Sequence, residues 1–253
     1  MNVNHRKTGP QVKVCGIRES SESAALDAMG VDWIGYNFHP GSSRHITPAA
    51  AAPLVRALTR ANPVGVFVDA EIRSVIDVTL TTGIRFVQLH GNEDWDYVMR
   101  MPVPVIKAIP HTRLHDLGGL RAGLEAALRR GEAIPLRYFL VDTQAGGKPD
   151  SGKGAADKGT PAVAGTAAAA STGFGGSGLT FDWELLKRHP LPLPYFLAGG
   201  LGPHNLAQAL AALTPFAAAT PFAVDLNSKV ETAPGRKDLA KVKACLDIVA
   251  AGS

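Results

Sequence analysis

Cys15 and Asp142 are the side chains around which chemistry could be organised. A thiolate can take up a proton or attack carbon, and a carboxyl group can give or take a proton. Cys15 closes the run Val12-Lys13-Val14-Cys15, and Asp142 closes Tyr138-Phe139-Leu140-Val141-Asp142. Side chains alternate across a strand, so Val12 and Val14 share one face while Lys13 and Cys15 share the other. The same parity separates Phe139 and Val141 from Tyr138, Leu140 and Asp142. In other strands it selects Gln88 with His90, then Lys107, then Asp225 as inward residues. Charged groups sit inside an apolar core only with a partner or a task. Together these residues would furnish one rim with a thiol, two carboxylates, an imidazole and cations.

Each of them also has a purely structural use. A free cysteine packs as a small hydrophobe. Asp142, the first polar residue after a strand, could cap the loop that follows. Gln88 and His90 could satisfy one another within the fold. Asp69 and Lys107 could be members of ordinary ion pairs. What favours a site is their joint placement at the ends of several strands.

The elements that would position them alternate along the whole chain. Expected strands are 12–15, 33–38, 63–69, 86–90, 103–109, 138–142, 194–198 and 222–226. Expected helices are 20–30, 48–60, 71–81, 93–101, 114–130, 181–188, 205–213 and 237–250, with Thr47 and Pro48 supplying N-cap and first-turn chemistry. Alternating units imply a parallel sheet covered by helices, and eight of them point to a single-domain α/β fold, the closed (β/α)8 TIM barrel. An open doubly wound sheet is the alternative. Only Gly16 follows Cys15, however, and the dinucleotide-binding glycine fingerprint is missing there. One stretch interrupts the alternation: 144–174, rich in Gly, Ala, Ser, Thr and Lys, is expected to be a flexible insertion after strand six, either ornament or lid.

At 253 residues and 45% hydrophobic content the chain can build one sizeable core. The formal charge is +4 and the pI about 9.1, yet the cations are interspersed with acids. No nucleic-acid stripe results, and an anionic small molecule fits equally well. Two cysteines near opposite ends, Cys15 and Cys245, support neither a disulfide framework nor a thiol metal cluster. No run reaches membrane-spanning length, so a cytoplasmic location is expected.

Late in the chain Leu197-Ala198-Gly199-Gly200-Leu201 ends strand seven, and Val224-Asp225-Leu226-Asn227-Ser228 ends strand eight. Glycines permit close backbone approach, and helix-start N–H groups attract anions. Tight turns use the same residues. Two such loops in units seven and eight match the usual barrel phosphate site and imply a phosphorylated small substrate.

Taken in order, several motifs resemble one family. They are Lys13-Val14-Cys15-Gly16-Ile17, Phe38-His39-Pro40 through Ser43-Arg44, Val87-Gln88-Leu89-His90-Gly91 and Val141-Asp142. Gly175-Gly176-Ser177-Gly178 with Thr180-Phe181-Asp182-Trp183 follows, and the two late loops with Val230-Glu231 complete the set. The chain resembles the phosphoribosylanthranilate isomerases of tryptophan biosynthesis from Val12 to about Asp238, apart from the insertion. That resemblance implies a (β/α)8 barrel and an Amadori rearrangement of N-(5-phosphoribosyl)anthranilate, with no metal and no organic cofactor. It implies Cys15 as the general base, Asp142 as the general acid and Arg44 as the partner of the anthranilate carboxylate. It also implies His90 and Asp225 as substrate contacts, with Gly176, Gly178, Gly199, Gly200, Asn227 and Ser228 around the phosphate. A monomer or homodimer is expected, with neither nucleic acid nor membrane as partner. The chain departs from the family pattern in the length of 144–174 and in Lys229, which stands where a small residue is usual. A related sugar-phosphate isomerase of histidine biosynthesis is a second reading, although that family is expected to carry aspartate where Cys15 stands. A barrel that binds phosphosugars without turnover is a third.

Overall fold

The computed structural model describes residues 9–142, 183–213 and 221–252. Eight parallel strands close a barrel in sequence order: β1 Gln11–Cys15, β2 Trp33–Asn37, β3 Asn62–Phe67, β4 Phe86–Leu89, β5 Val105–Pro110, β6 Leu136–Asp142, β7 Tyr195–Ala198 and β8 Ala223–Leu226. Closure comes from β1 pairing with β8, Lys13 opposite Asp225 and Val14 opposite Leu226. The helices are α1 Ser20–Ala28, α2 Pro48–Ala57, α3 Ile72–Thr82, α4 Trp95–Met99, α5 Gly118–Arg130, α6 Trp183–Arg188, α7 Leu206–Leu213 and α8 Leu239–Ala251. A short hairpin, β9 Glu231–Ala233 and β10 Arg236–Lys237, stands between β8 and α8.

Strand parity divides the interior into two cores. Val12, Val14, Phe139 and Val141 join the layer between barrel and helices. Trp33, Leu140, Phe196 and Ala223 meet inside the barrel, with Phe86, Tyr138 and Phe222 packed against them. The aromatic rings interlock, Trp33 edge-on to Phe86 at 4.7 Å and to Phe196 at 5.3 Å, and Tyr138 stacked on Phe222 at 4.7 Å. Most of them come from strand beginnings, so they fill the N-terminal end of the barrel. The polar inward residues are thereby left to the other end, where barrel active sites form.

Element boundaries differ from expectation where tertiary contacts intervene. Helix α2 stops at Ala57 rather than running to Arg60. The Asp27 carboxylate accepts the backbone N–H groups of Thr59, Arg60 and Ala61, and it turns the chain into β3. Helix α5 starts at Gly118, after a separate 3-10 turn at His111–Arg113, because Gly118 (φ +47) interrupts the apolar run. Helix α8 starts at Leu239, where the Asp238 side chain accepts from Ala240 and Lys241. Lys237, expected inside that helix, belongs to the hairpin instead. The insertion at 144–174 lies outside the described residues, as do Phe181 and Asp182.

Candidate active site

Cys15 ends β1 and is 5% exposed, with its sulfur turned to the barrel interior beside Lys13. Lys13 is fully buried and donates to both oxygens of Asp225 at 3.0 Å, joining the first and last strands. Burial penalises the Lys13 ammonium, but Asp225 and Cys15 outweigh it and hold the lysine above its ordinary value. For Cys15, burial dominates and pushes the thiol up, while Lys13 and Lys237 oppose it and Asp225 reinforces it. Two glycines make room here. Gly35, opposite Cys15 on β2, leaves space that a Cβ would close to 2.7 Å from the sulfur. Gly16, at φ +83, would place a Cβ 2.6 Å from Arg44 Cδ.

Asp142 ends β6 at the same end of the barrel, its side chain 31% exposed and its Oδ2 3.7 Å from His90 Nε2. His90 Nδ1 is 2.9 Å from the Gln88 amide nitrogen. Asp225 is within the electrostatic reach of both His90 and Asp142. Thiol, imidazole and both carboxylates therefore share one polar chamber above the aromatic floor, as parity implied.

Arg44 comes from the loop after β2 and is held from across the mouth. Its Nε and Nη2 donate to the two Glu231 oxygens at 2.8 and 2.7 Å. Glu231 also accepts from Lys237 Nζ at 2.6 Å and from the Gly235 N–H at 3.2 Å. Burial favours the neutral acid, but Arg44 and Lys237 overcome it and keep Glu231 below the usual carboxylate range. Burial also pulls Lys237 below its ordinary value, against the attraction of Glu231.

The two late loops lie against each other. Gly199 and Gly200 adopt φ +100 and +67, a conformation that disfavours side chains. The Asn205 side chain fixes their loop by accepting from the Gly202 N–H at 2.9 Å and donating to the Gly200 carbonyl at 3.0 Å. Gly202 packs so near Lys229 that a Cβ would be 2.9 Å from the lysine Cβ. Ser228 opens a 3-10 turn, Ser228–Val230, and is exposed. Asn227 turns its Oδ1 to Lys237 Nζ at 2.9 Å. Through the contact of Gly202 with Lys229 the two loops stand side by side at one edge of the mouth.

A family model described as N-(5'phosphoribosyl)anthranilate (PRA) isomerase matches residues 12–154 and 169–248. The chain belongs to the phosphoribosylanthranilate isomerase family. Curated members include the Syntrophus aciditrophicus N-(5'-phosphoribosyl)anthranilate isomerase, 32% identical over 94% of this chain and 86% of its own. The Myxococcus xanthus protein of the same name is 34% identical over 92% and 93%. The crystal structure of the Thermotoga maritima phosphoribosyl anthranilate isomerase superposes with a TM-score of 0.68 at 29% identity, covering 96% of this chain and all of that one. A family structure in complex with reduced 1-(o-carboxyphenylamino)-1-deoxyribulose 5-phosphate superposes at 0.65 and 27% identity, covering 96% and 100%.

One inward assignment fails. Lys107 lies on the outer face of β5, because Ile106 and Ala108 occupy the barrel interior. Its ammonium pairs with buried Glu93 at 2.9 Å and donates to the carbonyls of Leu89, Gly91 and Ala108. Lys107 is the only polar residue among apolar neighbours in β5, so the sequence offered no phase for the alternation. Gly176 and Gly178 lie outside the described residues. Gly35 and Lys237 stand in none of the motifs read from the sequence, and Glu231 stands in one, Val230-Glu231, to which no role was attached. Among the described residues no three His, Cys, Asp or Glu side chains gather in a metal-binding group.

Proposed function

We infer that this family member isomerises N-(5'-phosphoribosyl)anthranilate to 1-(2-carboxyphenylamino)-1-deoxyribulose 5-phosphate in tryptophan biosynthesis, with Cys15 and Asp142 as the proton-transfer pair. The observation that supports these roles best is that the two residues end β1 and β6 on the inward face, at one end of the barrel. Asp142 gives a proton to the furanose ring oxygen, the ring opens and the amine nitrogen becomes an iminium. The iminium acidifies the adjacent C2–H, Cys15 as thiolate removes that proton, and the resulting enolamine tautomerises to the aminoketose. Side chains alone carry both proton transfers. Arg44 holds the anthranilate carboxylate, and a guanidinium fixed by Glu231 is oriented before the substrate arrives. The loops at Gly199, Gly200 and Ser228 cradle the phosphate through backbone N–H groups. His90 and Asp225 contact the sugar, and Asn227 supports that edge through its bond to Lys237.

The same reading takes the chain as one barrel domain with 144–174 inserted in it, acting in the cytoplasm as a monomer or homodimer. No helix among the described residues is long and apolar enough to cross a membrane. A structure described as monomers of the dimeric phosphoribosylanthranilate isomerase from Thermotoga maritima is 26% identical, with a TM-score of 0.65.

Purified protein incubated with phosphoribosylanthranilate should show loss of the anthranilate-type fluorescence as product forms. The histidine-pathway aminoaldose, run alongside, should turn over far more slowly. Turnover of the second substrate alone would assign the chain to the histidine reaction, and binding of both without turnover would leave a phosphosugar-binding barrel.

A further inference from the structure

Lys107 and Glu93 form a buried ion pair outside the barrel, and their hydrogen bonds converge on one residue of the mouth, His90. Strand β4 stops at Leu89, which stands opposite Lys107 in the ladder with β5. His90 is the first residue past the strand, where backbone groups need other partners. The Lys107 ammonium donates to the Leu89 carbonyl at 3.3 Å and to the Gly91 carbonyl at 2.8 Å. Glu93 accepts the Gly91 N–H, at 3.2 Å through Oε1 and at 3.0 Å through Oε2. The peptide that enters His90 is therefore held by the cation, and the peptide that leaves it by the anion.

Stability alone is a weak reason for such a pair, because the cost of removing both charges from water offsets their attraction and apolar residues of similar volume do about as well. Apolar residues could bind none of these carbonyl and N–H groups. The same carboxylate also accepts the N–H of Asp69 at 3.0 Å, where the backbone takes the left-handed φ of +46. Asp69 in turn accepts the Asn92 N–H at 2.6 Å, and a Cβ on Gly91 would collide with the Asp69 carboxylate. The loop after β4 is thus fixed against the loop after β3. His90 adds its own N–H to the Phe67 carbonyl at 2.8 Å, and its partly exposed ring ends with Nε2 3.7 Å from Asp142 Oδ2.

We propose that Lys107 and Glu93 are positioning residues for the isomerase reaction. From outside the barrel they fix the backbone on both sides of His90, and so set where the imidazole stands relative to Asp142 and the sugar. This rests on the reading of His90 as a substrate contact. Both residues act through His90.

A double-mutant cycle on the full-length protein tests it. Lys107→Met with Glu93→Gln removes both charges together, so that neither is left buried and unpaired. In the wild-type background this change should lower kcat/KM about tenfold, the scale of a sub-ångström misplacement, with an unchanged far-UV circular dichroism spectrum. In a His90→Ala background the same change should cost less than about twofold, since what it displaces is already gone. Glu93→Gln alone keeps shape and acceptor, and should cost about threefold with the same dependence on His90. That milder variant carries the test if the double change prevents folding. Losses of equal size in the two backgrounds would mean that the pair supports the fold at large, and would overturn the proposal. So would wild-type kcat/KM in the charge-free variant. Long-range 1H–15N spectra of the imidazoles supply the second readout, with the His90 signals identified by their loss in His90→Ala. The charge-free variant should shift or broaden those signals and leave the other histidines in place. Unmoved His90 signals overturn the clamp itself. Wild-type turnover in His90→Ala would instead remove His90 from the site, and with it the use of the clamp in the reaction.

Discussion

Gly35 stands directly opposite Cys15 in the β1–β2 ladder, and the sulfur occupies the space its side chain would need. A Cβ there would lie 2.7 Å from the sulfur and 3.1 Å from Cys15 Cα. The second of these contacts is to backbone, so side-chain rotation cannot relieve both. Gly35→Ala should therefore displace the thiol by a fraction of an ångström while the barrel stays closed. Misplacement on the ångström scale costs up to about 100-fold in rate. We expect kcat at least tenfold lower with an unchanged far-UV circular dichroism spectrum. Wild-type kcat in this variant would show that the position of the sulfur is not critical.

Removing either proton-transfer group should cost more. Cys15→Ser replaces a thiol with a hydroxyl that hardly ionises in water, and Asp142→Asn removes the acidic proton. Each should lower kcat by at least about two orders of magnitude, the scale of general acid–base catalysis. Steady-state kinetics by fluorescence decides this, and a variant within tenfold of wild type removes that residue from its role.

Much of this constellation was legible because a barrel converts strand parity into location. Lys13, Cys15, Asp142 and Asp225 each alternate with apolar residues that seek the helix layer, so the inward face could be read from the chain. Lys107 could not be read in this way. Its neighbours on both faces are apolar, and its partner Glu93 reaches it only because the loop after β4 folds over the strand end. The pairing of Arg44 with Glu231 spans 187 residues, and no local pattern announces it. Gly35 was silent for a different reason, since glycine in a strand says that something approaches closely without saying what.

Arg44 reaches both Glu231 oxygens through the Nε and Nη2 edge of its guanidinium, and lysine cannot reproduce that fork. Arg44→Lys should lose the orientation that presents positive charge to the substrate carboxylate. Such a contact exists in ground and transition states alike, so its loss appears chiefly in KM. A charged hydrogen bond contributes about 1.5–3 kcal/mol, and KM should rise by about one to two orders of magnitude. A fall in kcat at constant KM would instead place Arg44 in the chemical step.

Asp27 offers a pH test that is independent of the active site. Burial favours its neutral form, but the N–H groups of Ala61, Thr59 and Arg60 and the Thr59 hydroxyl outweigh it and lower its pKa from 3.8. A carboxyl depressed on folding contributes stability that is complete above its unfolded pKa and is lost as pH falls through the folded one, because the unfolded chain takes up the proton first. Asp27→Asn replaces one acceptor oxygen with a donor that faces N–H groups, and should cost about 1–3 kcal/mol near neutrality. Melting temperature should drop by about 2–4 °C for each kcal/mol. The gap between wild type and variant should be constant from pH 8 down to about 5, then shrink toward pH 3. Thermal melts across that series give the answer. A gap that stays constant to the lowest pH would mean that the loop from Thr59 to Ala61 is held by packing, with the Asp27 charge contributing nothing.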